Sequence, residues 1–153
     1  MPSKPIDVVS SILSDPRNID HVRPLVSEDF TYVSLNYEDE ELKNIMPWCG
    51  TSHGVESLVK TFVDVSNFWQ VDDFSIEAIF GQDENVAVFG RFTYTSTVLS
   101  RQVTSPFAVF AKVFDGRCSY MQFMEDTFAT SASFRSGGAW TFRSDPDGTE
   151  VTI

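Results

Sequence analysis

Between Val86 and Asp126 the chain repeats one pattern: a stretch of alternating side chains, a short turn, then another such stretch. Val86–Val98, Pro106–Phe114 and Cys118–Asp126 read as strands, with Arg101–Ser105 and Asp115-Gly116 as the turns between them. Turns this short leave no room for a crossover, so the strands must pair antiparallel as a meander. Asp72–Phe80, before the turn Gly81–Asn85, adds another strand at the start of the run.

The first half has a different period. Pro5–Ser14 places Ile6, Val9 and Ile12 at helical spacing, and Asp15-Pro16 ends that segment. Asn18 can cap a second short helix carrying Ile19, Val22, Leu25 and Val26. Asp29–Leu35 alternates as a strand, and Glu38–Lys43 is an acidic run, either a solvated loop or a single helical turn. Thr51–Trp69 is the one long helix expected, since Val55, Leu58, Val59, Phe62 and Val63 form a continuous apolar stripe. Ser52 or Thr51 would cap it, with His53 at its very start. Helices in the first half and a meander in the second predict an α+β fold, with the helices on one face of a curved, mainly antiparallel sheet. Trp140–Ser144 and Thr149–Ile153 flank Asp145-Pro146-Asp147-Gly148, a type I turn sequence, and predict a C-terminal β-hairpin. The organisation expected is one main domain, 1–136, with a hairpin extension, 137–153.

A chain of 153 residues suffices for one real core, and 14 Phe, 4 Tyr and 3 Trp are a heavy aromatic load that fills a core, lines an apolar pocket or builds a subunit contact. A net charge of −11 with no Lys/Arg-rich run argues against nucleic acid. No apolar run reaches membrane-spanning length, and the first residues are too polar for a secretory signal. A soluble, cytoplasmic protein is expected, with Cys49 and Cys118 as reduced, buried thiols. No Cys/His cluster has metal-ligand spacing, and neither a phosphate loop nor a nucleophile elbow is present.

Strand parity assigns faces. In Pro106–Phe114, Phe107, Val109, Ala111 and Val113 form a wholly apolar face that should meet the helices. Counted straight through from Cys118, the last strand places Tyr120, Gln122, Met124 and Asp126 on one face and Met121, Phe123 and Glu125 on the other. The first set is expected to be inside. A sheet apolar on both sides needs cover on both, so a homodimer is expected through the outer face, using Phe110, Phe114, Met121 and Phe123.

The helix order, the GTSHG segment before the long helix, the AVFGRFTYT strand, the FAVFAKVFDGR hairpin and the terminal QFMEDTF strand together resemble the SnoaL-like branch of the nuclear-transport-factor-2-like superfamily. The resemblance covers about Ile6 to Phe134 and leaves the hairpin outside. It implies a cone: a strongly bent sheet closed by helices around a deep apolar cavity. Relatives include ketosteroid isomerase, limonene-epoxide hydrolase and polyketide cyclases, along with binding modules that catalyse nothing. In the cyclase and epoxide-hydrolase branches an aspartate near the end of the last strand is the acid/base, a position that Asp126 matches. The epoxide hydrolase pairs it with Arg-x-Asp, where this chain has Arg91-x-Thr93. Ketosteroid isomerase has its base where this chain has Met46. Neither specific activity is implied.

An aspartate facing an apolar cavity is held near the pH range of proton transfer by desolvation. Asp126 is therefore the candidate acid/base; its other reading is a cap on the turn that begins at Thr127, or an ion pair with Arg91. His53 could be a second acid/base or simply an exposed first-turn residue. Arg91 could hold an anionic ligand or an enolate oxygen. Tyr32, Trp48, Phe62, Tyr94, Phe107, Tyr120, Gln122 and Met124 are the expected pocket lining, with Tyr32 or Gln122 orienting a ligand oxygen. Two functions are expected from this set. One is a cofactor-independent enzyme moving protons on a small hydrophobic molecule, as in isomerisation, cyclisation or dehydration. The other is a non-catalytic ligand-binding or dimerisation module.

Overall fold

The structure is a computed structural model describing residues 3–153; residues 1 and 2, at the start of the expected main domain, lie outside the described residues. The elements in order are α1 (Pro5–Ser14), α2 (Ile19–Val22), β1 (Val26–Ser34), α3 (Glu40–Ile45), β2 (Gly50–His53) and α4 (Val55–Phe68). There follow β3 (Trp69–Gln82), β4 (Asn85–Ser96), β5 (Gln102–Phe114), β6 (Arg117–Glu125), α5 (Thr127–Ala132), β7 (Thr141–Phe142) and β8 (Val151–Thr152). The first six strands form one sheet in the order β2-β1-β6-β5-β4-β3, and β7 pairs with β8 as a separate hairpin. The β1–β6 pair is parallel and the other pairs are antiparallel, so the meander is closed by a strand from the first half of the chain.

The Asp115-Gly116 turn is tight because both residues take positive φ, 50° and 76°, the geometry that matches the twist of a two-residue hairpin. Register slips in β3 between Val71 and Asp73 and between Ile76 and Ala78 bend that strand around the core. Opposite the second slip sits Gly90, where a Cβ would lie 2.2 Å from the Ser75 carbonyl and 2.6 Å from the Phe107 ring. The α1 side chains Val8, Val9, Ile12 and Leu13 are buried with Val86, Val88, Phe92, Phe107, Val109, Ala111 and Val113. The wholly apolar face of β5 is thus the inner one.

The decisive irregularity is in β6. Phe114 pairs with Arg117 and Val113 with Cys118, but Lys112 pairs with Tyr120, so Ser119 is an extra residue in the strand. One inserted residue inverts the facing of everything beyond it. Met121, Phe123 and Glu125 therefore pair with Ala111, Val109 and Phe107 on the inner face. Tyr120, Gln122 and Met124 point outward, the reverse of the straight-through parity.

Other boundaries also differ from expectation. Gly50–His53 is an edge strand on β1 rather than the first turn of the long helix, so α4 starts four residues later, at Val55, with Gly54 (φ 86°) at its N-cap position instead of a Ser or Thr. The acidic run holds the short helix α3, capped by the Asp39 carboxylate on the Leu42 amide at 2.9 Å. The C-terminal hairpin forms around the Asp145–Gly148 turn, closed by the Gly148 amide on the Asp145 carbonyl at 2.9 Å. Among the described residues, no helix is long and apolar enough to cross a membrane.

Candidate functional site

Because of the bulge, Glu125 is the acid that the last strand turns inward. It lines a small pocket with Tyr32 and Ser34 of β1, Trp48 of the loop after α3, Thr61, Phe62 and Val65 of α4, Tyr94 of β4 and Phe123 of β6. Glu125 keeps some exposure as a residue, but its Oε2 is shut off from solvent and has no hydrogen-bond partner among the described residues. Burial pushes its pKa up to about 7; the Thr130 hydroxyl opposes that rise and the neighbouring Asp126 charge adds to it. Tyr32 and Tyr94 are also pushed up, mainly by burial and further by the Glu125 charge, while the Ser34 hydroxyl lowers Tyr32. Both phenols therefore stay protonated and able to donate.

The pocket is nearly filled. Its volume is about 20 Å³, space for a single water-sized group rather than a ligand. Trp48 packs against Trp69 at 5.4 Å and edge-on to Phe68 at 5.0 Å, and Phe62 meets Phe123 edge-on at 6.2 Å. The deep cavity implied by the resemblance is occupied by these rings.

Of the residues expected at the site, Tyr32, Trp48, Tyr94 and Phe62 do line this pocket. Phe107 is buried behind it, stacked on Phe74 at 4.6 Å and on Phe123 at 5.2 Å. Asp126 does not face the interior. It is exposed, and its Oδ1 accepts the Ala129 amide at 3.1 Å as the N-cap of α5, the alternative left open by the sequence. Arg91 lies on the outer face and pairs with Glu77 at 3.5 Å, both well exposed. His53 is exposed on the outer face of β2, with Nδ1 3.2 Å from the Thr31 hydroxyl. Tyr120 donates to Gln122 Oε1 at 3.0 Å on the outside of the sheet, near Lys112 and Phe110, and Met124 shares that face. The carboxylate, tyrosines and tryptophan are thus brought together, while His53, Arg91 and Asp126 are kept away from them.

Glu125 was missed because straight parity placed it outside. The available signal was the apolar run Met121-x-Phe123, which matches the apolar face of β5 only if a residue is inserted after Cys118. Cys118 itself is buried, its thiol pushed up to about 12 by desolvation, and Cys49 is free and buried too. Among the described residues no group of His, Cys, Asp and Glu could hold a metal ion.

No family model matches the chain. Solved structures of similar shape include an NTF2-like protein from Burkholderia thailandensis (TM-score 0.73, 14% identity, 87% of this chain and 98% of that one). TerC, co-crystallised with polyporic acid, superposes at TM-score 0.71 with 18% identity over 88% of this chain and 100% of that one. A proposed SnoaL-like polyketide cyclase from Jannaschia sp. CCS1 gives TM-score 0.70 and 13% identity over 90% and 99%. At these identities the likeness speaks for the fold alone. Two sequence relatives go further: the patulin synthesis protein F of Aspergillus clavatus is 39% identical over 150 residues, 94% of this chain and 76% of that protein. The patulin biosynthesis cluster protein F of Penicillium expansum is 38% identical over 94% and 75%. The fold is that of NTF2-like and SnoaL-like proteins, and the chain belongs to the family of these patulin synthesis F proteins.

Proposed function

We propose that the chain acts on a small, hydrophobic, polyketide-like molecule by cofactor-independent proton transfer, with Glu125 as the acid/base. The observation that carries this reading is a buried carboxyl whose Oε2 has no partner among the described residues, held near neutrality and sharing its pocket with two protonated tyrosines. Near pH 7 such a group is present in both forms, so it can remove a proton alpha to a carbonyl and return it elsewhere on the same molecule. Tyr32 and Tyr94 can donate to the oxygen on which charge develops. Relatives named for patulin synthesis, and a structural neighbour crystallised with polyporic acid, support a ligand of this class. Substrate entry requires Trp48 and Phe62 to move, since the closed pocket holds about 20 Å³.

That closed volume favours a second reading, a ligand-binding or dimerisation module without turnover. Introducing this chain into a Penicillium expansum strain lacking its own protein F separates the two. The wild-type chain should restore patulin output and Glu125→Gln should not. Full restoration by Glu125→Gln would remove Glu125 from the chemistry. Failure of both, with a small molecule retained on the purified wild-type chain, would favour the module.

We also propose that two copies pair through the outer face of the sheet. Phe123 and Met121, expected in that contact, are buried inside. The contact rests instead on Phe89, Phe110 and Phe114, with Phe114 68% exposed.

A further inference from the structure

A second concave site shares no lining residue with the Glu125 pocket. α3, α5 and the segment 134–140 enclose a groove of about 510 Å³, within the range of small-molecule sites and far larger than the inner pocket. Helix α5 carries Thr130 on its buried side and presents Phe128 and Ala132 to the groove.

The far wall is built rather than loosely draped. The Arg135 guanidinium donates to the carbonyls of Gly137, Gly138 and Ile153, and Trp140 and Ile153 exchange backbone hydrogen bonds at 2.8 and 2.9 Å. These bonds fix the Trp140 ring 6.3 Å from Phe128, with Phe142 bracing it edge-on at 5.4 Å. Two large rings held this way, each more than half exposed, cost water contact that a flat apolar ligand would relieve.

Charge narrows the ligand further. Arg135, the one cationic side chain in the lining, directs its Nε and Nη2 donors to backbone carbonyls. The carboxylates in the lining are Asp39, tied to the α3 cap, and Glu41, which has no ion-pair partner among the described residues. The lining side chains thus carry two negative charges against one positive, in a chain of net charge −11, so the groove disfavours an anion.

We propose that this groove is a binding site for a planar aromatic small molecule carrying no negative charge, lying in the groove against the exposed Phe128–Trp140 pair. The test titrates the full chain with neutral N-phenyl-1-naphthylamine and with its anionic relative 8-anilinonaphthalene-1-sulfonate, following probe fluorescence. One neutral probe should bind per chain, and the sulfonate at least tenfold more weakly. Ala132→Trp, which fills the groove and leaves both rings in place, and Trp140→Ala should each weaken the neutral probe at least tenfold. Glu125→Gln should bind it as the wild type does, and circular dichroism should show each variant folded. Unchanged affinity in both groove variants, loss of binding in Glu125→Gln, or equal affinity for the sulfonate would overturn the proposal. So would one probe per two chains, which would identify a second copy as the occupant.

Discussion

Glu125 and Asp126 are joined by one peptide bond and differ in surroundings: Glu125 Oε2 is buried without a partner among the described residues, while Asp126, just past the end of β6, is exposed and holds the Ala129 amide at 3.1 Å. The consequence for Glu125 is a pH-dependent stability of definite sign. Its folded pKa, about 7, is raised from the ordinary 4.5, so with rising pH the unfolded chain loses this proton first. Stability contributed by this group therefore falls between those two values and is level on either side. From pH 5.5 to 8 the loss is about 2 kcal/mol. Glu125→Gln removes it, so the gap between variant and wild type in urea unfolding should widen with pH in the variant's favour. An equal gap at pH 5.5 and pH 8 would show that Glu125 is not desolvated in the folded protein.

Asp126 should behave as a cap and not as a buried acid. Replacing it with Ala removes the acceptor for the Ala129 amide and should cost about 1 kcal/mol, while Asn, which caps equally well, should cost a few tenths. Urea midpoints of the two variants check this. If Asn were as damaging as Ala, the carboxylate charge rather than the cap geometry would be what matters at this position.

The fold was legible because alternation in β4 and β5 runs unbroken and Asp115-Gly116 announces its own turn. Tyr32 and Phe62 were legible from the alternation of β1 and the apolar stripe of α4, and each lies in the element expected of it. The identity of the acid was not legible. A bulge at Ser119 has no strong sequence mark, and it moves the inner face from Asp126 to Glu125. Gly50–His53 was missed for a different reason. Thr51 and Ser52 look like the cap of the helix that follows, and it is the pairing with Thr31–Ser34, a tertiary effect, that makes Gly50–His53 a strand.

Gly90→Ala should be among the most damaging conservative changes in the sheet. The new methyl would lie 2.2 Å from the Ser75 carbonyl, a backbone atom held in the β3–β4 ladder, and 2.6 Å from the Phe107 ring, which is stacked between Phe74 and Phe123. Neither neighbour can give way cheaply, so a loss of about 3 kcal/mol or more is expected, at the upper end for overpacking. Thermal or urea unfolding of the variant measures it. A loss under about 1 kcal/mol would mean that β3 can slide away from β4 at its bulge, and that the curvature there is soft.

The outer face gives the last prediction. Phe114 is 68% exposed at the end of β5 and Phe89 47% exposed on β4; both belong to the face that carries Phe110 and Lys112. Scattered exposed phenylalanines are ordinary, but here they share one side of a sheet whose other side is covered by helices. If two copies bury this face against each other, Phe114→Glu places a carboxylate, and across a two-fold axis two of them, in the contact. The wild-type chain should then sediment as a dimer at micromolar concentration and Phe114→Glu as a monomer with unchanged circular dichroism. An acid is the right probe because the chain already carries a net charge of −11, so added repulsion acts on association rather than on the core. A monomeric wild type, or a dimer that survives Phe114→Glu together with Phe89→Glu, would show that this face is not the contact between copies.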